Sequence, residues 1–285
     1  MNRQPIELPP SDGPDLGAGE LTFVGTATVL VRYGGFTFLT DPNFLHQGEY
    51  AKLGYGLRSK RLTEPAMSIA DLPPLDFVVL SHHHGDHFDE VAAAELDKRV
   101  PILTTPHAAR KLRSQGFLAP VELETWESQT VTRGGTSVRV TAMPGKHGPG
   151  PIDALLPPVM GSMLEFEGAG AAFRMYITGD TLLHDRLEEI PRRYPDVDLA
   201  LLHLGGTRVL GVLVTMDASQ GVKVVQLVRP RAAIPIHYHD YTVFKEPLAA
   251  FKEAVTTAGL STTVRYVGHG ETYQLSPSRA DDGRS

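Results

Sequence analysis

Apolar and polar positions alternate through ELTFVGTATVLVRYGGFTFLTD, residues 20 to 41, with a break at Gly34-Gly35. Period two in β-branched and aromatic residues predicts a meander of strands ending at Asp41. The alternation returns in TSVRVTAMP (136 to 144), GSMLEFEG (161 to 168) and AAFRMYITGD (171 to 180). DFVVL (76 to 80) is different, because after Asp76 it is apolar without interruption. A short run of that kind predicts a strand buried on both faces.

A period near 3.6 marks the segments between and after these strands. DEVAAAELDKRV and PHAARKLRSQG follow the buried run, the second opening on Pro106 and closing on Gly116, as helices start and stop. MDASQGVKVVQLVRP sets Val222, Val225 and Val228 on one face, and EPLAAFKEAVTTAG does the same with Leu248, Phe251 and Val255 ahead of Gly259. Strands with helices in each half of the chain predict two sheets packed face to face with helices outside, an α+β architecture. Residues 1 to 19 and the stretch SPSRADDGRS (276 to 285) are rich in Pro, Gly, Asp and Ser. That is the composition of a flexible arm and a flexible tail on either side of a single domain over 20 to 275.

The chain has 285 residues and a net charge of −6, long enough for one large core and without the basic footprint of a nucleic-acid binder. It holds no cysteine, so any metal must be held by nitrogen and oxygen. No run nears the 18 or so apolar residues of a membrane span, and the first residues lack the basic-then-apolar order of a signal peptide. A cytoplasmic protein with a small-molecule substrate is the expectation.

The chemistry concentrates after the buried run. VVLSHHHGDHFD, residues 78 to 89, gathers four of the chain's 12 histidines with two aspartates. Side chains two apart in an extended segment share a face, so His82 and His84 are placed to hold one ion together. Gly85 is expected to allow a sharp turn that carries Asp86 and His87 to a second point, while His83, out of phase, points away.

His-x-His-x-Asp-His, here His82, His84, Asp86 and His87, resembles the motif of the metallo-β-lactamase superfamily. The resemblance implies a four-layer αββα sandwich and a site for two divalent ions, with more ligands from later loops. His147 in MPGKHGPG resembles the third histidine, Asp180 in YITGDT the bridging carboxylate, and His237 in AAIPIHYHDY the last histidine. Donors of nitrogen and oxygen suit zinc first, then manganese or iron.

FLTDP, SHHHGDHFD and IPIHY, with Pro-Gly-Lys-His around His147 in place of a Gly-His-Thr-x-Gly-His run, look most like one branch of that superfamily. It is the branch that contains the ascorbate-6-phosphate lactonase and the N-acylphosphatidylethanolamine phospholipase D. It implies a hydrolase whose metal-bridging hydroxide attacks a small ester or lactone, with Asp86 passing a proton to the leaving group. A phosphodiesterase and a non-hydrolytic metal-binding protein are the alternatives, and a homo-oligomer is left open.

Other residues carry weaker expectations. Asp41, in LTDP, is expected to hydrogen-bond a ligand histidine and fix its tautomer. His203, in LALLHLGGT, is expected to be a satisfied core histidine, with a proton relay facing the pocket as the alternative. His239 is a rim candidate, His46, His107, His184 and His269 are surface or packing residues, and Lys146 is solvated. The long segments 43 to 68 and 147 to 161 are expected to wall a pocket. In the first, Phe44, Tyr50, Tyr55, Arg58, Lys60 and Arg61 mix aromatic and basic character, which suits a substrate with an apolar part and a negative charge.

Overall fold

The computed structural model describes residues 3–10, 19–168 and 171–275. One sheet has seven strands in the order Thr272–Leu275, Gly19–Gly25, Thr28–Tyr33, Phe36–Thr40, Phe77–Leu80, Ile102–Thr104 and Pro120–Glu122. The other has eight, in the order Ile6–Glu7, Ser128–Arg133, Thr136–Met143, Gly161–Gly168, Ala171–Ile177, Leu199–His203, Ala232–Ile236 and Thr263–Val264. The meander reverses at Gly34 and Gly35, at φ +63° and +80°. Positive φ at both central positions matches the twist of the flanking strands and favours residues without a Cβ.

Phe77 and Val79 face between the sheets, in one cluster with Phe38, Val140, Leu164 and Ile234. Val78 and Leu80 face the other way, in a cluster with Ala92 of the helix Glu90–Glu95 and with Ala108 and Leu112 of the helix Pro106–Ser114. A strand covered on both faces has no place for a polar side chain, which explains the unbroken run. Across the sandwich, Ala200 and Leu202 pack with Val222 and Val225 of the helix Ala218–Val228 and with Phe251 of the helix Leu248–Ala258. The layers are therefore helix, sheet, sheet, helix, as expected.

Some boundaries differ from the sequence reading. The helix expected over 89 to 100 ends at Glu95, because Leu96 returns to extended backbone at ψ 142°. Part of the arm expected to be flexible is paired, Ile6 and Glu7 running parallel to Val131 and Thr132; residues 1–2 and 11–18, and the tail expected over 276 to 285, lie outside the described residues. Segment 43 to 68 contains a hairpin, Tyr50–Gly54 with Leu57–Lys60, and segment 147 to 161 a helical turn over Gly150–Leu155. A further hairpin, Arg208–Val209 with Val212–Leu213, was not anticipated. Among the described residues no helix is long and apolar enough to cross a membrane.

Parallel pairing sets the site. Phe36–Thr40, Phe77–Leu80 and Ile102–Thr104 run in one direction, as do Ala171–Ile177, Leu199–His203 and Ala232–Ile236. Their C-terminal ends are where α/β sheets present side chains from several loops at once. Asp41, the histidine loop, Asp180 and His237 meet there.

Candidate metal centre

His82 Nε2 lies 3.0 Å from His84 Nδ1, and His147 Nε2 lies 3.2 Å from the same atom. The other ring nitrogens of two of these residues are engaged: Ser81 Oγ is 3.0 Å from His82 Nδ1, and His147 Nδ1 donates to the Val214 carbonyl at 3.0 Å. With Nδ1 protonated, Nε2 of each is a bare lone pair. His84 Nδ1 faces both lone pairs, and with the His84 proton on Nε2 the three converging nitrogens present only lone pairs to one another. A tetrahedral shell with metal–nitrogen bonds of 2.0–2.1 Å spaces its nitrogens about 3.3–3.4 Å apart, so the trio fits one ion.

A second group lies beside it. His87 Nε2 is 3.4 Å from Asp180 Oδ2, His237 Nδ1 is 3.4 Å from Asp180 Oδ1, and His237 Nε2 is 3.6 Å from Asp86 Oδ2. Asp180 also shares a cluster with His82 and His87 in which all ligand atoms lie within 4.8 Å, so it reaches both groups. Asp86 Oδ1, Asp180 Oδ1, His87 Nε2 and His237 Nε2 are buried with no hydrogen-bond partner. Each such atom costs about 1–3 kcal/mol, and four in one cluster are what a cation would satisfy together.

Charge agrees with geometry. No lysine or arginine pairs with Asp41, Asp86 or Asp180 among the described residues; their ionic partners are all histidines. Burial alone would raise Asp41, yet His87 and His203 hold its carboxyl down to about 2. Burial pushes His87 down, but Asp180, Asp41 and Asp86 outweigh it and hold the imidazole well above its ordinary range. The chain's carboxylates thus recruit a positive charge to this point. Burial lowers His82, His147 and His84, the last to about 3, which keeps them in the neutral form that binds metal.

Around the cluster, neighbours fix orientation. Asp41 Oδ1 accepts the Ser81 N–H at 2.7 Å, and its Oδ2 lies 3.3 Å from His87 Nδ1 and 3.3 Å from His203 Nε2. Thr215, which sequence did not single out, donates to Asp180 Oδ2 at 2.9 Å. His203 is fully buried and held at its second nitrogen by Thr178 Oγ1 at 3.3 Å, and it does not line the cavity above the cluster. It is a satisfied core histidine that also braces Asp41.

The sharp turn expected at Gly85 is present over 85–87 and carries Asp86 and His87 to the second group, but the glycine serves it differently. It is not among the residues at positive φ; the turn comes from the His87 and Phe88 N–H groups, which both donate to the His84 carbonyl, at 3.0 and 2.7 Å. Glycine is required by close approach instead, since a Cβ there would fall 2.6 Å from Lys52 N and 2.7 Å from Lys52 O. The hairpin of segment 43 to 68 rests on the histidine loop at this point.

The remaining candidates scatter. His83 turns away to Gln115 Oε1 at 3.2 Å, His46 pairs with Glu64 at 2.6 Å, and His269 pairs with Asp240 at 3.1 Å. His239 is exposed and stacks on His269, and His107 and His184 are half-buried. Lys146 stays off the cavity. Of the six aromatic and basic residues expected to meet a substrate, only Tyr55 lines the cavity; Phe44 is core, and Arg61 is buried on Asn43 and Thr63. Arg58 and Lys60 are exposed. The anionic preference expected from them has no support in the cavity wall. Val209, Leu210, Val212 and Val214 do line it, and their signal was the short β-branched alternation around Gly211.

A family model described as beta-lactamase superfamily domain matches residues 37–238, a span containing all seven clustered residues. The chain belongs to the beta-lactamase superfamily. Within that superfamily, N-acyl-phosphatidylethanolamine-hydrolyzing phospholipase D 1 of Caenorhabditis elegans is 29% identical over 248 residues, covering 81% of this chain and 68% of that protein. A UPF0173 metal-dependent hydrolase of Carboxydothermus hydrogenoformans is 28% identical over 252 residues, 86% of this chain and 96% of that one. Isothiocyanate hydrolase from Delia radicum gut bacteria shares the fold, with a TM-score of 0.74 over 90% of this chain and 99% of that chain at 23% identity. The superfamily membership and the αββα sandwich expected from the histidine motif are both borne out.

Proposed function

We propose that the chain is a metal-dependent hydrolase that holds two divalent ions, zinc ahead of manganese or iron, and cleaves a small ester or lactone. His82, His84 and His147 would hold one ion, Asp86, His87 and His237 the other, and Asp180 would serve both. The observation that carries this is the buried convergence of imidazole and carboxylate atoms that have no partner of their own. The names of the worm and bacterial relatives support hydrolysis, and because their chemistries differ they support the machinery more than a substrate.

When bound, such ions lower the pKa of water from 15.7 to about 7, which supplies hydroxide at neutral pH, and polarise the substrate oxygen. The chain's residues do the rest. Asp86, at the cavity floor, would take the proton released as the hydroxide adds to the acyl carbon and pass it to the leaving oxygen as the acyl C–O bond breaks. Asp41 keeps the proton of His87 on Nδ1, so that Nε2 stays a ligand.

Elemental mass spectrometry on protein purified without added metal tests the reading, run on the wild type and His237→Ala together. About two ions per chain in the wild type, with a clear loss in the variant, is expected. An Asp86→Ala or His147→Ala protein that kept full activity on an identified substrate would overturn it.

A further inference from the structure

We infer that the unreactive part of the substrate is apolar and uncharged, an alkyl or aryl group, and that it lies in the cavity directly above His84, Asp86, His147 and Asp180. The hydrolase reading enters only for what happens at the floor; what the walls bind stands apart from it. The cavity measures about 300 Å³, twice the roughly 150 Å³ that takes one benzene ring, so it has room for about ten to twelve carbons.

Three segments far apart in sequence build the walls. Leu53 and Leu57 come from the hairpin resting on Gly85, Ile152 and Leu156 from the turn after His147, and Val212 and Val214 from the unanticipated hairpin and the residue after it. Above the floor every lining side chain is aliphatic except Tyr55 and Thr207. Among the described residues no lysine or arginine lines it, so a carboxylate or phosphate tail would be buried without a counter-charge, at high cost. Thr207 Oγ1 is itself buried and unpartnered. A substrate that brings one hydrogen-bonding atom to this wall would satisfy it.

The rim continues the same chemistry. Eight large apolar side chains are exposed among the described residues, and four of them, Tyr55, Leu57, Leu155 and Leu210, line this one cavity. Exposed apolar side chains gathered at one mouth mark a binding groove. Tyr55 Oη donates to the Leu155 carbonyl at 2.6 Å, which ties the first hairpin to the turn after His147 and closes that side. Leu210, 96% exposed at the tip of the other hairpin, stands over the opposite side.

The test uses the full chain as purified and a neutral fluorescent probe, N-phenyl-1-naphthylamine, displaced by 1-butanol, 1-hexanol and 1-octanol. One probe per chain is expected, with each added methylene tightening displacement about fourfold. Leu155→Asp and Leu210→Asp, both at exposed positions that folding does not depend on, should weaken probe binding at least tenfold, and Leu118→Asp, equally exposed but elsewhere, should leave it unchanged. A flat chain-length series, or equal losses in all three variants, would overturn the inference. In a second arm, p-nitrophenyl octanoate should exceed the mono-p-nitrophenyl ester of suberic acid, which carries a distal carboxylate, at least tenfold in kcat/KM. Equal or reversed rates would overturn the uncharged class. Probe binding as described with no hydrolysis of either ester would count against the hydrolase reading alone.

Discussion

Asp41→Asn changes one atom and tests how the site is held. Residue 41 sits at φ +35°, a conformation that Asn tolerates as Asp does, so the backbone can stay in place. The amide oxygen can keep the Ser81 N–H bond that Asp41 Oδ1 accepts at 2.7 Å. The amide nitrogen then faces His87 Nδ1 and His203 Nε2, each 3.3 Å away, and a donor meets a donor. His87 is driven to carry its proton on Nε2, the nitrogen aimed at Asp180 from 3.4 Å, and a protonated nitrogen is no ligand. Loss of such a support costs about 10–100-fold in metal affinity or activity, or about 1.4–2.8 kcal/mol. Chelator competition with ion counting reads it out. The variant should give up one ion of two at about 10–100-fold lower chelator concentration, because the His82, His84 and His147 group does not touch Asp41. Two ions released together at the wild-type concentration would refute the reasoning.

Three substitutions probe the frame. Gly85→Ala drives a methyl against the Lys52 backbone, 2.6 Å from its nitrogen, so the histidine loop or the hairpin must shift; at least a tenfold fall in activity with reduced metal content is expected, and unchanged kinetics would show that the contact is slack. Asn43→Leu removes the side chain that accepts from Arg61, Thr26 and Tyr241 and donates to Gly85 and Asp89. It takes one acceptor from a buried guanidinium that keeps the Thr63 and Asn43 carbonyls, so denaturant unfolding should show a loss of about 1.5–3 kcal/mol, and a loss below about 0.5 kcal/mol would contradict that role. Phe77→Ala empties a ring stacked on Phe38 at 4.9 Å between centroids. The expected cost is about 3–5 kcal/mol, a fall of roughly 6–20 °C in Tm by calorimetry, and a fall under about 2 °C would mean that the core collapses around the gap.

The chemistry was more legible than the pocket, for a physical reason. His82, His84, Asp86 and His87 stand in one short loop, and the strand before it announces itself because both its faces are covered. His147, Asp180 and His237 each follow an apolar strand, so their place at strand ends could be read from the pattern, while their meeting was implied only by the resemblance of the histidine motif. Gly85 was read for the wrong property, since the backbone it accommodates belongs to Lys52, 33 positions earlier, and no local pattern reveals such a neighbour. The basic residues of 43 to 68 misled for a related reason: in a two-stranded hairpin alternate side chains face opposite ways, and Leu53, Tyr55 and Leu57 are the ones turned inward. Val209 to Val214 form strands too short for their pattern to register.

Stability and metal should also be coupled. Asp41, Asp86 and Asp180 are each at most 4% exposed, with His82, His87, His203 and His237 at 0% around them. Carboxylates in that setting need positive charge, and in the bare chain histidine protons are what is at hand. A cation that binds the folded form alone stabilises it by RT ln(1 + [L]/Kd), about 4.1 kcal/mol at a thousand times Kd. At about 2–4 °C per kcal/mol, chelation and gel filtration should lower Tm by roughly 8–16 °C, and zinc or manganese should restore it. The same treatment applied to His237→Ala should move Tm far less, because a proposed ligand is already gone. If wild-type Tm stays fixed while elemental analysis shows the ions removed, the buried carboxylates are balanced within the chain itself, and the unpartnered atoms of Asp86, Asp180, His87 and His237 require another explanation.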